Sequence, residues 1–266
     1  MLRETCCHIL EADLVPCWNH LSPPVDLVRW HRPEFPEVRV GRELGIQYEL
    51  HPRWNSGRTL FELALRPARR WLAQHSESGS VLSLFARGCS LGISATAGGA
   101  AEIWHIDRDP LALHWGKKSA QLNPAGRRPV RWLQSECTPV LRQLAGLNMQ
   151  LRGERKAEFL PLEPRRFDRV ILDPPPRSDG PFGCVELAKD YGHFFQLALR
   201  CTRPGGILLA TNRDPSSSRE DWLRATLHEV QQLGMEVDFE VIHPEADFPE
   251  TDAQPALKMA AFERRS

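Results

Sequence analysis

The most informative short motif is Asp173-Pro174-Pro175-Pro176, which directly follows a segment from Phe167 to Leu172 that ends in the apolar run Val170-Ile171-Leu172. A short apolar run bounded by turn residues predicts a buried strand, so the carboxylate stands at the end of that strand. The prolines fix the backbone and remove its N–H donors, which makes the turn a rigid wall with outward carbonyl groups. Such a wall can stack on a planar base and accept a hydrogen bond from its amino group or ring nitrogen. A stiff loop with no binding role is the alternative.

A second carboxylate, Asp107, ends another predicted strand. An acid at this point of a nucleoside-binding sheet accepts hydrogen bonds from both hydroxyls of a ribose. Its alternative role is that of a helix N-cap, which Asp109 fits better because it precedes Pro110 at the start of a helix. We therefore assign the ribose role to Asp107 and the cap to Asp109.

Three further loops follow predicted strands. The first, Phe85 to Gly92, contains two glycines that would let the backbone approach a ligand, although this spacing is common in tight turns. Glu136 follows the third strand, where an acid can accept from an adenine amino group. Thr211-Asn212 offers a hydroxyl and an amide after the fifth strand.

The elements that carry these residues alternate along the chain. The predicted strands are 81–86, 102–107, 130–133, 167–173, 207–210, 235–242 and 256–262. The predicted helices are 58–75, a short one ending at Gly98-Gly99, 110–123, 139–147, 184–201 and 217–233. This alternation predicts a doubly wound, Rossmann-like α/β sheet of mostly parallel strands with an antiparallel C-terminal pair. Its ligand would lie beyond the carboxyl ends of the strands, at the switch in strand order.

Residues 1–40 are rich in Pro, Trp and His and show no sustained periodicity, so we expect an irregular N-terminal arm. Residues 41–266 then form one domain. A charged loop is expected between about 148 and 166.

The composition limits the partners. Lys plus Arg and Asp plus Glu number 34 each, so the net charge gives no long-range attraction to a polyanion. Contact with nucleic acid would have to come from local arginine clusters, which are more often solvated faces. The clusters are Arg66, Arg69 and Arg70; Arg127, Arg128 and Arg131; Arg152, Arg155 and Lys156; and Arg165, Arg166 and Arg169.

The seven cysteines are odd in number and lack metal-ligand spacing, which argues against a disulfide framework and a zinc site. No apolar run reaches the ~18 residues of a membrane span, and the first residues lack a secretion signal. We expect a cytoplasmic protein without a metal.

Several spaced motifs, in one order from about Glu43 onwards, resemble those of the large-subunit ribosomal RNA methyltransferases, which modify guanine nitrogens or cytosine carbon. They belong to the class I S-adenosylmethionine-dependent methyltransferases. The matching segments are Arg66 to Leu72, Val81 to Asp107, Leu113 to Gly116, Leu122-Asn123, Gln134 to Cys137, Phe167 to Pro175, Asp190, Gly205-Gly206, Thr211-Asn212, Asp247 to Pro249 and Leu257-Lys258.

The resemblance implies S-adenosylmethionine as cofactor and RNA as the substrate. The cofactor-binding residues it implies are Arg66, Phe85, Ala86, Gly88, Asp107, Arg108, Glu136 and Asp173. The implied catalytic residues are Asp173, Pro174, Pro175 and Asn212.

The chain also departs from the family pattern. Gly88-Cys89-Ser90 replaces the usual Thr-Gly-Gly, so we expect side chains where the methionine part of the cofactor would lie. Ala64 replaces an Asp, and Glu136 is one methylene longer than the usual Asp. We also expect no appendage domain of the kind that directs many relatives to RNA.

Methylation of cytosine carbon requires a cysteine that first adds to the ring. None follows the prolines or the fifth strand directly, and Cys184 would serve only if its loop folded back. We therefore predict methylation of a base nitrogen, with Phe182 and Pro175 flanking the base. The alternatives are a methyltransferase acting on a protein or small metabolite, and a binding module with a degenerate cofactor site. The sequence leaves the oligomeric state open.

Overall fold

A central mixed sheet organises the computed structural model, which describes residues 39–50, 60–123, 128–147, 161–180, 183–245 and 257–265. The strands of this sheet are β3 (Ser80–Leu84), β4 (Glu102–Asp107), β5 (Val130–Gln134), β6 (Phe167–Leu172), β9 (Thr202–Asn212), β10 (Val237–Val241) and β11 (Lys258–Arg264). Two hairpins lie outside it: β1 (Arg39–Glu43) with β2 (Ile46–Leu50), and β7 (Arg177–Gly180) with β8 (Gly183–Glu186).

The strand order is β10-β11-β9-β6-β3-β4-β5, and β9, β6, β3, β4 and β5 run parallel. β11 pairs antiparallel with both β9 and β10. The predicted doubly wound sheet with an antiparallel C-terminal pair is therefore confirmed. The order reverses between β3 and β6, which places the switch point beside β3.

Helices cover both faces of the sheet, as the parallel strands require. They are α1 (Arg66–His75), α2 (Ser90–Ala97), α3 (Pro110–Gln121), α4 (Cys137–Leu144), α5 (Leu187–Cys201) and α6 (Arg219–Gln232). One core cluster is built around Leu82, Leu84 and Val170, and a second around Leu72, Val81 and Ile171. Neighbouring residues of β3 thus pack into opposite layers, which explains its continuous apolar sequence.

The first predicted helix, 58–75, is shorter than expected. Leu63–Leu65 form one 3-10 turn and the α-helix begins at Arg66. Pro67 accounts for the difference. If the helix began further towards the N-terminus, Pro67 could not donate a backbone hydrogen bond, and its ring would clash with the carbonyl of Leu63. The preceding residues, 60–62, instead lie in irregular structure beside the sheet.

Other boundaries differ as well. The helix expected from 184 begins at Leu187, because residues 177–180 and 183–186 form the β7–β8 hairpin. The fifth parallel strand spans Thr202–Asn212 rather than 207–210. Strand β3 ends at Leu84, since Phe85 has a φ of 53° and leaves the extended conformation.

The first strand begins at Arg39, within the predicted N-terminal arm. The rest of that arm, most of the predicted charged loop and Phe182 lie outside the described residues. In the part of the chain that is described, no helix has both the length and the apolar character of a membrane span.

A buried ion pair joins the first hairpin to the domain. Arg69 on α1 donates from Nε and Nη2 to the two carboxylate oxygens of Glu43, at 2.7 and 2.6 Å, and both side chains are fully buried. A third donor, Nη1, reaches the backbone carbonyl of Glu62 at 2.8 Å. The guanidinium also lies 4.1 Å from the centre of the Phe61 ring. Arg69 therefore fixes both the hairpin and the segment before α1.

We predict that Glu43→Ala lowers the free energy of unfolding by about 3–5 kcal/mol, because it leaves the Arg69 charge buried without its partner. Urea unfolding followed by circular dichroism measures this change. Asp238→Ala, which removes the partner of Arg265 on the surface, is the control and should have little effect. Equal effects of the two substitutions would contradict the structural role of the buried pair.

Candidate active site

A cleft opens at the carboxyl ends of β3 and β6, at the switch point of the sheet. Its volume is about 290 Å³ when the open solvent at its mouth is counted. Its lining residues are Leu60, Glu62, Leu65, Ser83, Leu84, Phe85, Ala86, Arg87, Ser90, Leu91 and Asp173. Three segments therefore build it: the stretch before α1, the stretch from the end of β3 to the start of α2, and the residue after β6.

The loop after β3 has an unusual backbone. Phe85, Arg87 and Cys89 have φ values of 53°, 50° and 60°, in the left-handed region that non-glycine residues rarely adopt. Backbone hydrogen bonds hold this conformation: the Ala86 amide donates to the Ile106 carbonyl at 2.9 Å, and the Cys89 amide donates to the Ala86 carbonyl at 2.7 Å. The loop is thus a preformed, fixed wall of the cleft.

The two side chains that replace family glycines point in different directions. Ser90 lines the cleft, as expected. Cys89 is buried against α3 instead, and this corrects the expectation that it would stand in the cofactor region. A Cβ at Gly116 would lie only 2.5 Å from the Cys89 sulfur. Gly116 on the helix therefore leaves the space that the Cys89 side chain occupies.

Asp107 is almost fully buried at the end of β4, adjacent to this loop. Its carboxylate accepts from the backbone amides of Arg87, at 2.7 Å, and Asp109, at 2.9 Å, one on each oxygen. Burial raises the pKa of Asp107 while these two amides oppose the shift. Because a carboxylate has about four lone-pair positions, two remain for further donors. Asp109 caps α3 through the amides of Leu111 and Ala112, as predicted.

Glu136 follows β5 and lies on the same edge of the sheet. Its carboxylate pairs with Arg108 at 3.8 Å. Burial raises its pKa, Arg108 lowers it, and nearby Asp107 raises it further. Asp107, Arg108 and Glu136 therefore form one polar group beyond the end of the cleft.

Asp173 is 4% exposed and lies in the floor of the cleft. The Thr211 hydroxyl donates to its Oδ1 at 2.5 Å. Arg213 pairs with both of its oxygens, from Nη1 to Oδ1 and from Nη2 to Oδ2 at 3.2 Å. The same Nη1 reaches the Pro174 carbonyl at 3.3 Å. The acid and the first proline of the motif thus share one guanidinium.

The other edge of Arg213 binds Glu62, from Nε to Oε1 at 3.3 Å and from Nη2 to Oε2 at 2.9 Å. Arg87, from the loop after β3, donates to the same Oε2 at 2.8 Å. Burial alone would favour the neutral acid, but Arg213 and Arg87 lower the pKa of Glu62 to about 2. Burial would likewise lower the pKa of Arg213, whereas Asp173 and Glu62 raise it. The four side chains form an alternating row of charges across the cleft.

Sequence reasoning missed Arg213 and Glu62. Arg213 directly follows the Thr211-Asn212 pair, so its position after β9 was the available signal. Glu62 gave no such signal, because the helical pattern predicted for 58–75 placed it inside a helix.

Two predicted residues have other partners. Arg66 pairs with Glu245 and is not among the residues that line the cleft. The Asn212 side-chain oxygen accepts from the Asp214 amide at 2.7 Å, which turns the chain after β9. Thr211, rather than Asn212, contacts Asp173.

The arrangement of polar groups suits a nucleoside with a charged tail. Asp107 and Glu136 offer carboxylate acceptors, and the row of charged side chains lies beside the tight loop after β3. Among the described residues, no group of three or more His, Cys, Asp or Glu side chains is arranged to hold a metal ion.

Comparison with known proteins identifies the class. Residues 17–263 match the family described as S-adenosylmethionine-dependent methyltransferase, so the chain belongs to this family. It is 25% identical over 236 residues to ribosomal RNA large subunit methyltransferase I of Shewanella frigidimarina, covering 88% of this chain and 55% of that protein. The chain thus spans about half the length of this curated relative.

Solved structures show the same fold. The S-adenosylmethionine-dependent methyltransferase from Agrobacterium tumefaciens superposes with a TM-score of 0.68 at 16% identity, covering 89% of this chain and 73% of that one. The M. jannaschii tRNA m1G37 methyltransferase superposes with a TM-score of 0.53 at 16% identity, covering 88% of this chain and 58% of that one. The chain therefore has the class I methyltransferase fold.

We predict that Gly116→Ala destabilises the wild-type protein, because the new methyl group overlaps Cys89 and overpacking costs about 1–3 kcal/mol. In a Cys89→Gly background the same substitution should cost much less, because the overlap with the Cys89 side chain is gone and only the Gly88 carbonyl carbon, 3.3 Å from the new Cβ, remains close. Denaturant unfolding of the four variants in this double-mutant cycle measures the coupling. Additive effects would show that the two residues do not share this space.

Proposed function

We propose that this chain is a methyltransferase that binds S-adenosylmethionine across the carboxyl ends of β3 and β4. Asp107 would accept from the ribose hydroxyls, Glu136 would accept from the adenine amino group, and the loop from Phe85 to Gly88 would lie against the rest of the cofactor. When bound, the sulfonium cofactor supplies an electrophilic methyl group. The task of the protein is then to align a nucleophile and exclude water.

The observation that carries this proposal is the position of Asp173, buried in the floor of the cleft and directly followed by the rigid proline turn. We propose that Asp173 and the Pro174 carbonyl hold the edge of the acceptor base, while Pro175 lies against its face. A base reaching this buried point must come from a single strand or be flipped out of a helix.

The cysteines favour a nitrogen over a cytosine carbon as acceptor. Attack on carbon requires a thiolate beside the base. Of the described cysteines near the cleft, Cys89 packs against α3 and the Cys137 sulfur accepts from the Phe85 amide. Burial raises the pKa of both thiols, which keeps them neutral. The backbone of Cys184 lies in the β7–β8 hairpin, paired with Asp179.

An RNA acceptor is supported by the relatives named as ribosomal RNA methyltransferases and by the chemistry of the proline turn. Three arginines of the predicted clusters act within the fold. Arg69 is buried with Glu43, Arg128 donates to two backbone carbonyls, and Arg165 pairs with Glu102. Arg127 and the cluster of Arg152, Arg155 and Lys156 lie outside the described residues. We retain the proposal of a cytoplasmic location.

Asp107→Asn should weaken binding of S-adenosylhomocysteine at least tenfold, because hydrogen bonds to a charged acceptor contribute about 1.5–3 kcal/mol each. Isothermal titration calorimetry measures the affinity. The matched control is Asp109→Asn, which preserves the helix cap and should bind normally. A larger loss in the control would contradict the ribose assignment.

Asp173→Asn should reduce methyl transfer about 10²–10³-fold, the usual loss when one oriented polar contact at a reaction centre is removed. Labelled cofactor is incubated with the RNA and protein fractions in parallel, and incorporation into each is counted. The control is Asp168→Asn, at the start of the same strand, which pairs with Ser80 and Arg203 away from the cleft. Full activity of Asp173→Asn would overturn the site, and labelling confined to protein would overturn the RNA acceptor.

A further inference from the structure

Two arginines from different segments of the chain converge on one carboxylate that lines the cleft. Arg87 comes from the loop after β3, and Arg213 follows β9. Both donate to the same oxygen of Glu62, at 2.8 and 2.9 Å. Guanidinium groups placed in this way form a receptor for a carboxylate, because their planar N–H donors match its two oxygens.

Glu62 reaches this receptor from a segment with little regular structure. Residues 60–62 precede the short 3-10 turn, and Leu60, Glu62 and Leu65 all line the cleft. Arg69 holds the Glu62 backbone carbonyl at 2.8 Å, so the backbone is fixed beneath while the side chain extends over the cleft. The side chain can therefore leave the arginines by rotation without movement of the helix that follows.

The proposed cofactor carries a carboxylate at its amino-acid end. Its nucleoside end is assigned above to Asp107, whose Oδ2 accepts from the backbone amide of Arg87. Beyond that amide, the loop leads to the Arg87 side chain and to Glu62. A ligand held at Asp107 and extending along the loop thus meets the two arginines with its opposite end.

We propose that Arg87 and Arg213 bind the cofactor's carboxylate, and that the Glu62 carboxylate occupies their donors in the free protein and is exchanged for it. This inference rests on the proposed cofactor site and adds the Glu62 carboxylate as its occupant in the free protein. Arg213 keeps its second edge on Asp173 during the exchange, so it links the tail of the cofactor to the floor of the cleft. Glu62 then acts as an internal competitor that lowers the affinity for the cofactor.

Two ligands isolate this exchange. S-adenosylhomocysteine carries the amino-acid end, whereas 5′-methylthioadenosine has the same nucleoside and a thioether without it. Neither has the sulfonium charge, so the effect of Glu62 on a carboxylate is measured without that contribution. Calorimetric titration of the full chain with both ligands gives the affinities.

Glu62→Gln should tighten S-adenosylhomocysteine binding about tenfold, and 5′-methylthioadenosine binding should stay unchanged. Arg87→Gln should weaken S-adenosylhomocysteine about tenfold, again without an effect on the shorter ligand. The matched control is Glu102→Gln, which removes the charge of another arginine-paired glutamate at the start of β4, at the end of the strand opposite Asp107. It should alter neither affinity.

Weaker binding of S-adenosylhomocysteine to Glu62→Gln would overturn the exchange, because Glu62 would then be a contact of the cofactor rather than its competitor. Equal changes for both ligands would also overturn it, since the effect would come from the shape of the cleft. Failure of both ligands to bind the wild-type chain would overturn the cofactor site itself, and the exchange with it. The pattern across the two ligands therefore separates the two failures.

Discussion

The Arg213 guanidinium joins two acids that come from distant parts of the chain, Asp173 after β6 and Glu62 before α1. Each edge of its planar group faces one carboxylate, so the charge is compensated although the side chain is only 11% exposed. Removal of one partner from such a buried group costs about 3–5 kcal/mol unless another carboxylate takes its place, which makes this arrangement a strong constraint on the geometry around it. The carboxyl ends of β6 and β9 and the segment before α1 are thereby held together around one cleft.

The sheet explains why that constraint lies where it does. Parallel strands bring all their carboxyl ends to one edge, and the reversal of order between β3 and β6 separates the helices that follow, which opens a crevice. The loop after β3 forms one wall of it in a fixed left-handed conformation. Asp107 and Asp173 then stand on either side of the same loop, one suited to a sugar and the other to a base.

Much of this arrangement could be predicted from the sequence, because it depends on local patterns. The apolar runs predicted the parallel strands. Because Asp107 and Asp173 stand at the ends of two of these strands in the sequence, their positions at the sheet edge were predicted as well. The cap at Asp109 followed from Pro110 beside it. The direction of Cys89 could not be predicted, because it depends on the space left by Gly116 on α3. Glu62 was hidden for a related reason: its segment has helical periodicity, and Pro67 stops the helix.

One departure from the family pattern, Cys89, does not fill the cleft. Cys89 is accommodated beneath the loop, so it leaves the cleft open, and Glu62 supplies a carboxylate over the cleft itself. The most direct test is a crystal structure of the chain with S-adenosylhomocysteine. The account predicts the ribose on Asp107, the thioether sulfur facing Asp173, and the Glu62 side chain turned away from Arg87 and Arg213. A nucleoside bound elsewhere, with Asp107 free of it, would contradict the account.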